Sequence, residues 1–291
     1  MKLLINFLRL TRPLSNIKNL ALVLATFYIS GGEFDFLRIT VGIISLSLIC
    51  SANYAYNNLY DYEADKINKN KKHHSKSIEY FGEKNSRIVV FLLTLSGYIT
   101  GFLINIYFLV SLIFLSLTGF LYSSEKIRFK KRIVLDILFG ATLTFFFRFI
   151  ASWFIFSISI PPLLVVMALV SAKSAGYMLY KEIDRTSLLA LKIRNSITVV
   201  SKKTIIVISA LLWLVSFSSF IFLCLNSKYF QIRYLGNLPI KFLFLILFAV
   251  PPLIVIYLSI LNKIKTEIRY LRVIGFFYWI LVMIIIWRLF S

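Results

Sequence analysis

The chain has 291 residues, 59% of them hydrophobic, a mean hydropathy of +0.83 and a formal net charge of +21 from 33 Lys+Arg against 12 Asp+Glu. Soluble domains are about 45–50% apolar, so this composition excludes an ordinary water-soluble enzyme. The basic excess comes with no nucleic-acid-binding motif, and basic residues in cytoplasmic loops are what orient a membrane protein; the expected partners are membrane lipids, with no nucleic acid.

The chain opens with "MKLLINFLRLTRPLSNIKN". Arg9, Arg12 and Lys18 interrupt any signal-peptide core and no small-residue cleavage site follows, so the stretch is expected to be an amphipathic lead-in to the first span. Nine apolar runs follow, at roughly 17–32, 37–57, 87–105, 107–123, 134–156, 161–181, 204–225, 240–261 and 271–290. Such runs are of the length needed to cross a hydrocarbon core of roughly 30 Å. Each is expected to be a helix, because lipid offers the backbone no other partners. Only "NIY" separates the third run from the fourth.

The basic residues concentrate in the N-terminal stretch and in every second connection after it. The alternate connections and the C-terminus hold only Arg38, Lys228, Arg233, Lys241 and Arg288. This asymmetry puts the N-terminus in the cytoplasm and the C-terminus outside, in a multi-pass protein of the cell membrane. The expected fold is all-α: one polytopic domain over residues 1–291, a bundle of about nine transmembrane helices with a cavity open at the cytoplasmic side. The long polar stretches 58–86 and 182–203 are read as cytoplasmic loops, and the chemistry is sought there. Cys50 and Cys224 lie in apolar runs without metal-ligand spacing.

The second span ends in "NNLYDYEAD". Asn57, Asp61 and Asp65 are four apart, so a continuing helix lines them up on one face and turns Glu63 away. Two carboxylates and an amide suit Mg2+, which takes one or two carboxylates and completes its shell with water and phosphate. The alternative is that Asp61 and Asp65 only balance nearby lysines, and spacing alone does not separate the two readings. The sixth span ends in "YMLYKEIDRTS", with Lys181, Glu182, Asp184 and Arg185. Interfacial anchoring explains such mixed charge; the functional reading is a second wall facing the first across a cavity. Downstream, Lys192, Arg194, Asn195 and Ser196 in "KIRNS" either bind anions or simply follow the positive-inside pattern.

Charges inside spans are costly and point to function. Arg148 in "TFFFRFIAS" should face a partner, and a phosphate suits its planar fork. Lys173 in "VSAKSAGY" can reach the same cavity, and Asp136 is a candidate partner for either. Lys18 stands where the first span begins, placed either to bind anions or to snorkel. His73 and His74 have no carboxylate in register and receive no role.

These features resemble the UbiA superfamily of intramembrane prenyltransferases, most closely its polyprenyl-phosphate phosphoribosyltransferase branch. In "RPLSNIKN", Arg12, Pro13, Lys18 and Asn19 match that branch, with Asn16 where Trp is usual. In "YNNLYDYEAD", Asn57, Asp61, Glu63 and Asp65 match, with Asn58 in place of an aspartate. Arg148, Lys181 and "IRNS" have counterparts; the Arg-Pro pair usual after the first Asp motif is replaced by "KKHHSKSI", and "KEIDR" departs from the paired-Asp form of aromatic prenyltransferases. The resemblance runs to about residue 225.

It implies a Mg2+-dependent transferase for a polyprenyl phosphate or diphosphate, with a small phosphorylated or aromatic co-substrate. Asp61 and Asp65 would hold the metal and act in catalysis with Lys181. Lys18, Asn57, Arg148 and Arg194 would bind substrate phosphate, with Glu182, Asp184 and Lys173 as weaker candidates. The favoured reaction is phosphoribosyl transfer to polyprenyl phosphate. The alternatives are prenyl transfer to an aromatic or glycerol-phosphate acceptor, a lipid transporter without chemistry, and a degenerate member of the family.

Overall fold

The computed structural model describes residues 2–67, 72–183, 185–225 and Tyr257. Its regular structure is helical throughout: α1 Lys2–Thr11, α2 Ile17–Ser30, α3 Phe36–Tyr60, α4 Tyr62–Ile67, α5 Lys72–Phe102, α6 Ile106–Ser123, α7 Leu135–Phe154, α8 Leu163–Ile183, α9 Arg185–Ala190, α10 Ser196–Val199 and α11 Lys202–Leu225. By length and composition, α3, α6, α7, α8 and α11 can each cross a membrane. The first seven expected spans fall on helices; the eighth, apart from Tyr257, and the ninth lie outside the described residues.

The "NIY" break is real, and Asn105 makes it. Its backbone is extended and its side chain accepts from Phe108 N at 2.8 Å, capping α6. Its amide then donates to Phe154 O at 2.7 Å, which ties the α5–α6 turn to the end of α7.

The stretch 58–86 departs from expectation: it is helical where described, not a loop. Only one face of this segment is polar to solvent. Ser75, Ser77 and Ile78 are buried, and Ile78 joins Leu10, Ala55, Leu59 and Val90 in one apolar cluster, so α1 and the start of α5 pack together against α3. Gly82, at φ 72° and ψ 166°, kinks α5 between this amphipathic part and the apolar part. A side chain there would strain the backbone.

The main core lies between α3, α6 and α7, where Leu46, Ile49, Phe108, Leu112, Leu115 and Ile155 are fully buried. α8 pairs with α11, and hydroxyls bridge them: Ser209 Oγ donates to Ala175 O at 3.2 Å and Ser216 Oγ to Ala168 O at 2.6 Å. Such small polar contacts are typical glue where lipid removes the hydrophobic drive.

The two ends of the bundle differ in chemistry. At one, Phe27 packs its ring 5.4 Å from Phe156. At the other, α3, α6 and α8 finish and α7 and α11 begin, and the polar side chains gather there.

Candidate functional site

The strip Asn57–Asp61–Asp65 survives the change from α3 to α4. Asp61 N donates to Asn57 O at 2.9 Å, and Asp65 N donates to Asp61 O at 2.7 Å. These are successive helical bonds, so the three side chains keep one face through the turn at Asp61. Glu63 is exposed and pairs with Lys66 at 3.9 Å, off the strip.

Each member is held from another element. Asn57 Oδ1 accepts from Ser123 Oγ at 2.9 Å, at the end of α6. Asp61 Oδ1 accepts from Lys130 Nζ and lies 3.9 Å from a guanidinium nitrogen of Arg128. Arg128 also donates to Tyr60 O at 3.3 Å. Asp65 is buried, at 5% exposure. The basic turn carrying Arg128 and Lys130 therefore sits directly on the strip. Partial burial, and then the charges of Arg128 and Lys130, hold the neighbouring Lys131 ammonium below the usual lysine range. Nothing local in the sequence announced Lys130 and Arg128, which reach Asp61 from almost 70 residues away.

A small hard cation suits this donor set. Two carboxylates and an amide oxygen stand in line, and a basic group already occupies one carboxylate oxygen. Among the described residues no cluster of three or more His, Cys, Asp or Glu occurs. The rest of a Mg2+ shell would thus have to come from water and substrate phosphate, which is how Mg2+ usually binds.

Lys181 stands on α8. Its ammonium lies 5.5 Å from the ring centre of Tyr177, whose hydroxyl is 2.8 Å from that of Tyr122 on α6. Gly140 makes room for this pair: a Cβ there would stand 2.4 Å from Tyr177 Oη and 2.8 Å from the Tyr122 ring. Gly140 sits in a π-helical turn, Leu138–Thr142, of the kind that recurs at functional sites.

Asp136 does not partner Arg148 or Lys173. It is buried and accepts from Ser196 N at 3.2 Å and from Ser196 Oγ, so it fastens α10 to the start of α7. Its charged neighbour is Lys181. Asn195 caps α10 and donates to Lys130 O at 3.4 Å. "RNS" thus spends Asn195 and Ser196 on structure, and Arg194 is left exposed. Glu182 is buried, and both its oxygens accept from Arg185 at 2.7 Å, while Arg185 also donates to Val200 O at 2.8 Å. That pair clips α8 to the segment before α11, so Glu182 does not offer a free carboxylate to a metal. Asp184 lies outside the described residues.

Arg148 and Lys173 are half-buried within the bundle. Arg148 and Lys18 both lie within electrostatic range of Tyr54, and both also lie within range of Lys173. Tyr54, one turn before Asn57 and Asn58, was not singled out by any sequence pattern.

Comparison with known proteins fits this architecture. A model of a family described as the UbiA prenyltransferase family matches residues 19–281. Among solved structures, a UbiA homolog from Archaeoglobus fulgidus superposes with a TM-score of 0.72 at 15% identity, covering 97% of this chain and 99% of that one. The structure of a UbiA homolog from the same organism bound to GPP and Mg2+ gives 0.68 at 17% identity, covering 95% and 99%. A structure concerned with digeranylgeranylglyceryl phosphate synthase gives 0.62 at 16% identity, covering 98% and 96%. At these identities the likeness is one of fold. No match was found among curated proteins.

Proposed function

The chain belongs to the UbiA prenyltransferase family, a family of membrane transferases, and from that premise we propose that it is a Mg2+-dependent transferase for a polyprenyl phosphate or diphosphate. The observation that carries this reading is the unbroken face of Asn57, Asp61 and Asp65 with Lys130 and Arg128 upon it. The polar end of the bundle is taken as cytoplasmic, because the basic residues concentrate there. The whole of residues 1–291 is taken as one catalytic domain.

Asp61 and Asp65 would hold Mg2+, with Asn57 beside them, and bound there the metal would neutralise a departing diphosphate. The chain's own groups do the rest. Lys130 and Arg128 bring positive charge to the same oxygens, and Lys181 supplies it from the other wall, so leaving-group charge meets fixed cations. Tyr177 and Tyr122 orient Lys181. Asn57, anchored by Ser123, presents an amide to phosphate. Arg194, at the exposed edge, and Lys18 and Arg148, within the bundle, extend the cationic lining. The apolar bundle keeps the polyprenyl tail in lipid.

The favoured reaction is attack by a polyprenyl phosphate oxygen on the anomeric carbon of phosphoribosyl diphosphate, with loss of diphosphate. Support comes from the matches at Arg12, Pro13, Lys18 and Asn19, and from the cations inside the bundle, which suit a lipid-borne phosphate. A second reading, prenyl transfer from a polyprenyl diphosphate to an aromatic or glycerol-phosphate acceptor, is favoured by the similar Archaeoglobus fulgidus structure that holds GPP and Mg2+. The test is turnover by purified protein with Mg2+ and each substrate pair. Ribosylated lipid from polyprenyl phosphate and phosphoribosyl diphosphate is expected. Product from the prenyl diphosphate pair alone would replace the first reading by the second, and no product from either would sink both.

A further inference from the structure

A hydrogen bond between Tyr98 Oη and Ser116 Oγ ties α5 to α6. One turn from that tie, toward the polar end of the bundle, Thr94 of α5 and Phe120 of α6 begin to line a cavity of about 270 Å3. Tyr56 and Tyr60 of α3 line it as well. Their rings lie 4.7 Å apart, and the Tyr56 ring stands edge-on to Phe120 at 4.5 Å. The α5 wall runs from Arg87 through Val90 and Phe91 to Thr94, residues that share one helix face at spacings of three and four. Arg87 and Thr94 are seven residues apart, roughly 10 Å. This wall therefore grades from a guanidinium at the polar end, through apolar side chains, to a hydroxyl turned back on its own helix: Thr94 Oγ1 donates to Val90 O at 2.8 Å.

The cavity is distinct from the carboxylate strip, none of whose members lines it. Tyr56 and Tyr60 each precede a strip residue, Asn57 and Asp61, by one position, which sets them roughly 100° round α3. The opening is toward the membrane. Phe91 is 64% exposed, and Leu92 and Leu95 on α5 and Leu117 on α6 are exposed beside it. On a membrane-spanning bundle such side chains meet lipid tails, which are as apolar as leucine.

Size and charge select the occupant. Pockets that enclose a drug-sized ligand hold roughly 300–1,000 Å3, so this smaller one takes a segment of a molecule whose remainder lies along the exposed face. Arg87 pairs with Glu83, one turn back, and both side chains are exposed. Such a pair is worth at most about 1 kcal/mol, so a phosphate can take its place. Lys84 next to Glu83, and the Arg128 guanidinium donating to Tyr60 O at 3.3 Å, leave net positive charge at the rim. Basic pockets between membrane helices take anionic headgroups. We propose that the α3–α5–α6 cavity binds one anionic glycerophospholipid from the leaflet at the polar end, with its phosphate on Arg87 and an acyl segment between Tyr56, Phe91 and Phe120. The occupant is bilayer lipid and not a substrate, so the site stands independently of the transfer reaction.

Native mass spectrometry of the full chain in detergent, titrated with dioleoyl phosphatidylglycerol or dioleoyl phosphatidylcholine, tests this. Phosphatidylglycerol should bind saturably and roughly fivefold more tightly, the scale of one basic residue against anionic lipid. Arg87→Gln should remove that preference, and Arg87→Lys should keep most of it. Glu83→Gln should tighten phosphatidylglycerol about threefold, the scale of an exposed ion pair. Thr94→Phe, which fills the cavity, should abolish saturable binding of either lipid, and Lys203→Gln, at the start of α11, should leave both unchanged. Arg87 is exposed, so Arg87→Gln leaves the fold intact and the preference stays readable even where Thr94→Phe fails to fold. Equal affinity for the two lipids overturns the anionic head. A preference that survives Arg87→Gln, or binding that survives Thr94→Phe, overturns the site. Glycerol 3-phosphate competing as strongly as phosphatidylglycerol overturns the lipid in favour of a free phosphate, and an oligomer that Thr94→Phe dissociates gives the cavity to a second copy of the chain.

Discussion

Asn58 fastens Arg12 to α3. Its Oδ1 accepts from the Arg12 guanidinium, and its Nδ2 donates to Leu10 O at 3.1 Å, all in a position only 1% exposed. An aspartate could accept from Arg12 but could not donate to a carbonyl, so the departure from the resembling branch has a local cause. Asn58→Asp should therefore loosen the end of α1 and lower stability by about 1–2 kcal/mol, the cost of a buried carbonyl left without its donor. Thermal unfolding in detergent reads this, and an unchanged midpoint would mean that Leu10 O does not depend on Asn58.

Asp61→Ala and Asp65→Ala should each reduce turnover on the order of 100-fold or more, since each removes a ligand for a metal worth several kcal/mol to charge stabilisation. The variants should remain monodisperse in detergent. Mg2+-dependent activity persisting near the parent level in either variant would reject the strip as the metal site.

Lys130 and a metal compete for the same oxygen of Asp61. Replacing Lys130 with Gln should tighten Mg2+ binding in the absence of substrate by roughly three- to tenfold, the scale of a partly exposed ion pair. The same variant should bind diphosphate more weakly. Calorimetric titration with Mg2+ and with inorganic diphosphate separates the two effects, and weaker Mg2+ binding would contradict the competition.

Gly140→Ala forces a Cβ against Tyr177 Oη and should part Tyr177 from Tyr122. Activity should fall several-fold, because Lys181 leans on the Tyr177 ring. Adding Tyr177→Phe removes the clashing oxygen, so the double variant should recover part of the loss. A double variant worse than Gly140→Ala alone would rule out this steric explanation.

Arg185→Met leaves the buried Glu182 carboxylate without its partner. Breaking one side of a buried pair costs about 3 kcal/mol or more, and thermal unfolding should register it. Folded enzyme should keep its Mg2+ affinity, measured by titration, because Glu182 belongs to the clip and not to the metal site.

Local regularities carried much of this architecture into the sequence. Apolar runs marked the helices, and the four-residue spacing put Asn57, Asp61 and Asp65 on one face through a turn that interrupts the helix only formally. The stretch 58–86 misled because polar residues dominate it, while its burial depends on a neighbour, α1, that the sequence does not name. Partners supplied from afar were equally illegible: Lys130 for Asp61 and Ser196 for Asp136 each cross large sequence separations. Asp136 was misread for this reason, being near enough in sequence to suggest Arg148 yet committed to Ser196.

The short second helix has a consequence for the surrounding bilayer. α2 has 14 residues, so it rises roughly 21 Å, against a hydrocarbon thickness of roughly 30 Å. Beside it, α1 exposes Leu3, Leu4 and Leu8. Hydrophobic mismatch of this size is met by local thinning of the bilayer, by flanking residues such as Lys18 snorkelling to the interface, or by association with a neighbouring helix.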